Sequence, residues 1–173
     1  MKALIYCSAS FTINPEFNVA AREVVDLLCE RGYAIASGGT VKGTMGVICD
    51  QAATHNVGIY GVMPRFMKGF EHPALTSLKW VDTMSERKQL MREGCSVIVA
   101  LPGGIGTLDE LIETLVLRKL HQYDGLIVAY NYHGFYEPLK ALLDHYVATN
   151  MLDPKDRELI AFPSTPEELG NLL

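Results

Sequence analysis

The segment from Val97 to Leu115 constrains the fold more than any other part of this 173-residue chain. An apolar run, VIVA, is followed by the glycine-rich turn LPGGIGT and then by a helical pattern, LDELIETL. Such a strand–turn–helix unit is typical of sheets in which parallel strands alternate with helices. Its glycines let the backbone bend and approach a ligand, and the N–H groups at a helix start attract anions, usually phosphate. The segment therefore predicts an α/β fold that binds a phosphate-bearing molecule.

The rest of the chain repeats this unit. Short apolar runs alternate with amphipathic stretches, which is typical of a parallel sheet covered on both faces. The first helix should be capped by Asn14, begin with Pro15 and end at Gly32. The sequence thus predicts one domain over 1–173, a Rossmann-like, doubly wound parallel sheet with helices on both faces. We predict strands at 3–7, 33–36, 57–63, 78–81, 96–101 and 126–130, and helices at 16–31, 44–55, 85–93, 108–121, 136–149 and 166–172.

Composition excludes several other classes of protein. The net charge of -5 gives no basic footprint for nucleic acid. No apolar stretch approaches 18 residues, so no transmembrane helix and no membrane partner are expected. The four cysteines have no CxxC spacing, and we expect neither a zinc site nor a redox motif. These features favour a cytoplasmic enzyme or binding protein that uses no metal.

Two motifs lie where predicted strands end. They are P-G-G-I-G-T-L-D-E at 102–110 and M-S-E-R-K at 84–88, and a second glycine-rich turn spans 37–46. Neither the G-x-G-x-x-G dinucleotide motif nor a P-loop is present. Ligands of doubly wound sheets bind beyond the carboxyl ends of the strands, so these segments are the candidate site.

Each motif also has a purely structural interpretation. Thr107 and Glu110 are spaced as in a capping box, which needs no substrate. Arg87 and Lys88 could lie on a solvated helix face, although adjacent cations at a helix start oppose its dipole unless an anion binds there. The turn at 37–46 could be a plain strand-to-helix connection.

Taken together, the motifs resemble those of the LOG family, the cytokinin-activating "Lonely guy" proteins that are often named lysine decarboxylases. The resemblance rests on 102–110 and 84–88, with weaker matches at 38–46, at Val62-Met63-Pro64 and at Glu71. It implies hydrolysis of the N-glycosidic bond of a nucleoside 5′-monophosphate, AMP or a cytokinin riboside monophosphate, to a free base and ribose 5-phosphate. It also implies a cytoplasmic homodimer with no cofactor.

The resemblance further implies roles for particular residues. Arg87 and Glu110 would be the catalytic pair. A fixed carboxylate can stabilise the positive charge that builds on ribose as the C–N bond breaks, and arginine can neutralise phosphate or orient the carboxylate. The residues expected to bind the nucleotide are Gly103, Gly104, Gly106, Thr107, Lys88, Glu71, Gly39 and Met84.

Departures from the family pattern surround the expected base and ribose pocket. Thr40 stands where a third glycine is usual, and Ser8 and Thr12 replace glycines after the first strand. Ser85 stands where histidine is common, and Val116 where threonine is frequent. The preferred base therefore stays open.

Two alternatives to this enzyme also stay open. A nucleotide- or cofactor-binding module without catalysis would need the glycine turn but no arginine–glutamate pair. An amino-acid decarboxylase would need a lysine for pyridoxal phosphate, for which Lys88 is the candidate.

Overall fold

The computed structural model describes residues 1–173 and contains one six-stranded sheet. All five strand pairings are parallel, and the strand order is β4-β3-β2-β1-β5-β6. This order confirms the doubly wound α/β prediction, because the chain builds outwards from β1 in both directions. The strands are β1 Lys2–Tyr6, β2 Ala34–Ser37, β3 Ile59–Pro64, β4 Ser77–Val81, β5 Val97–Ala100 and β6 Leu126–Ala129.

The helices cover both faces of the sheet. One apolar cluster lies between the sheet and α1, α2 and α7, and a second lies between the opposite face and α3, α4 and α5. No helix combines the length and hydropathy needed to cross a bilayer. The helices are α1 Pro15–Glu30, α2 Gly43–Ala53, α3 Met84–Arg92, α4 Ile105–Lys119, α5 Glu137–Ala148, α6 Pro154–Arg157 and α7 Pro166–Gly170.

Local signals set most helix ends as predicted. The Asn14 side chain accepts a hydrogen bond from the backbone N–H of Glu16, Pro15 opens α1, and Gly32 follows its end with φ +80°. Such a positive φ suits glycine, which has no Cβ. The short helix α6 was not predicted, because four residues are too few to show a helical period.

The start of α4 is the main correction to the predicted elements. The helix begins at Ile105, three residues before the predicted start at Leu108, and Gly104 is its N-cap. The N–H groups of a first helical turn need no partner within the helix, so a glycine at 106 does not prevent the helix from starting there. Thr107 therefore lies inside the helix, and the capping-box interpretation of Thr107 and Glu110 is wrong.

Candidate active site

Arg87 and Glu110 meet between α3 and α4. Arg87 Nη1 lies 3.5 Å from Glu110 Oε1, and each side chain is only 8% exposed. A buried arginine and a buried carboxylate are costly to desolvate unless they are paired, so each accounts for the burial of the other. The interpretation of Arg87 as part of a solvated helix face is therefore wrong.

Arg87 is fixed by three elements of the fold. Thr83 caps α3 through its side chain, which accepts from the N–H of Glu86, and this sets where the helix starts after β4. Arg87 Nε then donates to the carbonyl of Val62 on β3 at 3.0 Å. The other end of the guanidinium lies against the backbone of Gly38, where a Cβ would overlap Nη2.

The environment of Glu110 changes its protonation. Burial raises its pKa from 4.5 to about 7, and the charge of Arg87 opposes that rise. Burial also lowers the pKa of Arg87, against the attraction of Glu110. A carboxyl group with a pKa near 7 can hold or release a proton at neutral pH, which is the property required of a general acid or base.

The glycine turn after β5 holds Thr107 beside it. A Cβ on Gly103 would overlap the Thr107 hydroxyl, and Thr107 itself is buried. The carbonyl of Leu101 accepts a hydrogen bond from the Tyr136 hydroxyl at 2.8 Å, which fixes the start of the turn. No side chain caps α4, so the N–H groups that follow Gly104 have no side-chain acceptor and suit an anion.

A chain of buried hydroxyls behind Glu110 was missed in the sequence. The Thr114 hydroxyl donates to the carbonyl of Glu110 at 2.8 Å and therefore accepts from the hydroxyl of Tyr6, 3.0 Å away. Burial raises the pKa of Tyr6 to about 12, so it stays protonated as a donor. A tyrosine within an otherwise aliphatic strand and a threonine four residues after Glu110 were the available signals.

Lys88 lies beside the pair but contacts other carboxylates. Its ammonium is 2.9 Å from Asp109 Oδ2 and also contacts Glu113 Oε2, and these partners raise its pKa. Glu113 additionally contacts Arg92, with Oε1 2.7 Å from Nη2. The adjacent cations of α3 are thus balanced by carboxylates of α4, and the nucleotide contact expected of Lys88 stays a prediction.

The loop after β2 is joined to the loop that follows β3. Thr40 pairs with Glu71 in an isolated antiparallel bridge, and the N–H of His72 donates to the carbonyl of Gly39 at 2.9 Å. Gly39 has φ +76°, and a Cβ there would lie 2.9 Å from the Cα of Gly61, so only glycine fits. This junction brings Glu71 beside the 38–42 turn.

Not all predicted binding residues contact the Arg87–Glu110 pair. The Glu71 carboxylate accepts from the N–H of Gly69 at 2.6 Å, and no contact joins it to Arg87 or Glu110. Met84 is the first residue of α3 and is half exposed at the same edge of the sheet. Roles for Glu71 and Met84 in binding a nucleotide stay predictions.

Three of the five departures from the family pattern, Thr40, Ser8 and Thr12, have side chains that make local hydrogen bonds. The Thr40 hydroxyl is buried and accepts from the N–H of Lys42, and the Ser8 hydroxyl accepts from the N–H of Ser10. The Thr12 hydroxyl lies 3.0 Å from the Ser10 hydroxyl and forms a hydrogen bond with it. Side chains thus stabilise turns in which glycines would leave the backbone free to vary.

The site does not fit pyridoxal phosphate. A Schiff base requires a lysine that can lose its proton, whereas the two carboxylates raise the pKa of Lys88. No group of three or more histidine, cysteine, aspartate or glutamate side chains is arranged to hold a metal ion.

Comparison with known proteins gives matches in sequence over most of the chain. The family model described as "Possible lysine decarboxylase" matches residues 45–173. A probable cytokinin riboside 5′-monophosphate phosphoribohydrolase of Oryza sativa subsp. japonica is 30% identical, over 95% of this chain and 75% of the relative. A cytokinin riboside 5′-monophosphate phosphoribohydrolase of Mycobacterium marinum is 33% identical, over 84% of this chain and 78% of its own.

Solved structures share the fold at low sequence identity. A structural genomics target has a TM-score of 0.76 at 19% identity, covering 99% of this chain and 98% of its own. The molybdenum cofactor carrier protein of Chlamydomonas reinhardtii has a TM-score of 0.75 at 16% identity, covering 99% and 96%. These likenesses confirm the Rossmann-like architecture.

The sequence matches carry the assignment to a family. The family model covers more than half of the chain, and the relatives align along most of their own length. Both motifs that suggested the resemblance, 84–88 and 102–110, lie within the matched region and supply the two buried residues of the site. The chain therefore belongs to the LOG family.

Proposed function

We propose that this protein hydrolyses the N-glycosidic bond of a nucleoside 5′-monophosphate, releasing the free base and ribose 5-phosphate. The observation that carries the proposal is the buried Arg87–Glu110 pair beside the uncapped start of α4. The activity for which the relatives are named supports the same reaction. AMP and cytokinin riboside monophosphates are the proposed substrates.

Glu110 is the residue that we propose to act on the ribose. Cleavage of the C–N bond leaves positive charge on the sugar, and a carboxylate held in a low-dielectric site stabilises such charge strongly. With a pKa of about 7, Glu110 also exchanges a proton with an attacking water at neutral pH. Arg87 holds this carboxylate in place and offers its charge to the phosphate.

The turn after β5 is proposed to bind the 5′-phosphate. Gly103, Gly104 and Gly106 leave the backbone open, and the α4 dipole favours an anion at its start. Phosphate binding would supply energy that orients the ribose over Glu110. Because a nucleoside without phosphate lacks this binding energy, we expect it not to react.

We further propose a homodimer formed through α4. Ile105, Leu108 and Val116 on this helix, and Leu120 at its C-cap, are exposed large apolar side chains. Their spacing, with Ile112 between them, makes one apolar stripe on a face that begins at the proposed phosphate turn. A second copy of the chain packed on this stripe would close the site from the side.

The cytoplasmic location stays a prediction.

The proposed reaction is tested by product analysis after incubation with AMP. We expect free adenine from AMP and none from adenosine, with Glu110→Gln protein as the matched control for contaminating nucleosidases. A parallel incubation with a cytokinin riboside monophosphate ranks the two bases. Binding of AMP by calorimetry without release of adenine, from either nucleotide, would instead support the non-catalytic binding module.

A further inference from the structure

The contacts between α3 and α4 are made by charged side chains. Every hydrogen bond or ion pair that joins the two helices involves Arg87–Glu110 or the α3–α4 charge cluster, which we define as Lys88, Arg92, Asp109 and Glu113. Arg87 lies on α3 and Glu110 on α4. The charged side chains that join the two helices therefore help to set the distance between these two residues. Ion pairs as well as apolar contacts therefore hold α3 against α4.

Glu113 holds the central position in this cluster. Its two oxygens are divided between two cations, with Oε2 on Lys88 and Oε1 on Arg92. The side chains of Lys88 and Arg92 are only 13% and 10% exposed, whereas Asp109, which contacts Lys88 alone, is 61% exposed. Removing the Glu113 charge would leave Arg92 without any carboxylate partner, a large penalty for a buried cation.

With Glu113 uncharged, Lys88 would keep its contact with Asp109, and the charges of Lys88 and Arg92 would act more strongly on Glu110. Lys88 and Arg92 both act on Glu110 by lowering its pKa, and Arg92 also acts on Tyr6, at the far end of the hydroxyl chain behind Glu110. Glu113 contacts both cations and partly neutralises their charges. The charged and titratable groups that face Glu110 are Arg87, Lys88 and Arg92 from α3, Asp109 from its own helix, Tyr6 from β1 and Cys7 just after β1.

We propose that Glu113 is a positioning residue, which holds Lys88 and Arg92 away from Glu110 and so keeps Glu110 paired with Arg87. The kinetic part of this inference rests on the proposed function. Its electrostatic part does not, because the protonation of Glu110 can be measured in a protein without activity.

The test compares Glu113→Gln with Glu93→Gln. Glu113→Gln removes the charge of the side chain and keeps its shape. Glu93→Gln breaks a surface ion pair with Lys79, in which both side chains are more than half exposed. We expect Glu113→Gln to lower kcat/KM for AMP by about tenfold to a hundredfold, mainly through kcat, as for a slightly misplaced catalytic group. Glu93→Gln should leave kcat/KM unchanged.

The second readout is the protonation of Glu110, followed by NMR of carboxyl-labelled protein across pH. In Glu113→Gln the two cations are no longer neutralised, so the pKa of Glu110 should fall by on the order of 0.5 unit or more. Glu113→Asp keeps the charge but cannot reach both cations, and it should retain intermediate kcat/KM. Glu113→Asp also replaces Glu113→Gln as the test variant if Glu113→Gln does not fold.

The outcomes separate the two proposals. A parent protein that releases no base overturns the proposed reaction, while a lowered Glu110 pKa in Glu113→Gln would still support the positioning role. Wild-type kcat/KM together with an unchanged Glu110 pKa in Glu113→Gln would make Glu113 an ordinary ion-pair residue and overturn this inference. If only Glu113→Asp folds, wild-type values of both quantities in that variant would overturn it equally.

Discussion

The guanidinium of Arg87 occupies the space that a side chain at position 38 would need. A Cβ built on Gly38 would overlap Arg87 Nη2 and would lie 2.8 Å from the sulfur of Met45. The glycine turn after β2 is thus required for the buried Arg87–Glu110 pair itself, apart from any contact with a ligand.

Gly38→Ala should therefore inactivate the enzyme without removing a catalytic side chain. The new methyl group would push the guanidinium away from Glu110, and we expect kcat/KM to fall on the order of a hundredfold, as for other misplaced catalytic groups. The measurement is adenine release from AMP, with circular dichroism and a melting curve to establish that the variant is folded. Activity near that of the parent would show that Arg87 tolerates displacement.

Direct changes to the pair should affect turnover more than binding. Glu110→Gln keeps the shape of the side chain and removes its charge, and we expect it to abolish base release. Arg87→Ala should lower the rate by hundreds-fold or more, in the range for lost transition-state contacts. If Arg87→Ala raises KM and leaves kcat unchanged, Arg87 only anchors the phosphate.

The raised pKa of Glu110 predicts how stability depends on pH. The folded pKa is about 7 against 4.5 for the unfolded group, so the folded protein binds the extra proton between these values. The contribution of Glu110 to the free energy of unfolding is thus fully present below about pH 4.5 and is lost as pH rises to about 7. Each pKa unit corresponds to about 1.4 kcal/mol.

Urea unfolding of the parent and Glu110→Gln proteins from pH 4.5 to 8 measures this effect. We expect the stability of the parent relative to the variant to fall as pH rises, and then to level off above about pH 7. A difference that stays constant across this range would mean that Glu110 titrates alike in the folded and unfolded chains.

Gly106→Ala should separate stability from phosphate binding. The residue lies in the first turn of α4 with open space where a Cβ would project, so alanine should stabilise the helix by up to about 0.5–1 kcal/mol. The same methyl group would crowd the N–H groups proposed for the phosphate, and KM for AMP should rise severalfold. A higher melting temperature with unchanged KM would show that the phosphate does not bind at this turn.

The apolar stripe on α4 predicts an effect on assembly. Val116→Glu places a charge in the middle of the stripe and should convert a dimer to a monomer in light scattering after size exclusion. Val19 is a comparably exposed valine on α1, and Val19→Glu is the matched control that should keep the parent's mass. A parent protein that is itself monomeric would contradict the proposed dimer.

Apart from the short helix α6, the sequence predicted the order of the elements, and its motifs contain the two residues that form the buried pair, because both follow from local patterns. Alternating apolar runs identify parallel strands, and the family motifs identify Arg87 and Glu110. The ion pairs of Lys88 with Asp109 and Glu113 could not be predicted in this way, since they depend on how α3 and α4 lie against each other. The three-residue error at the start of α4 arose because glycine is unfavourable in the body of a helix but tolerated in its first turn.

The Arg87–Glu110 pair also spans the point at which the chain reverses its direction across the sheet. Arg87 follows β4, at one edge, and bonds to β3, whereas Glu110 follows β5, on the other side of β1. In a chain in which only one half of the sheet has formed, Arg87 and Glu110 would not yet be brought within contact distance of each other. Recovery of base release during refolding would accordingly report the docking of the two halves, later than signals from secondary structure alone.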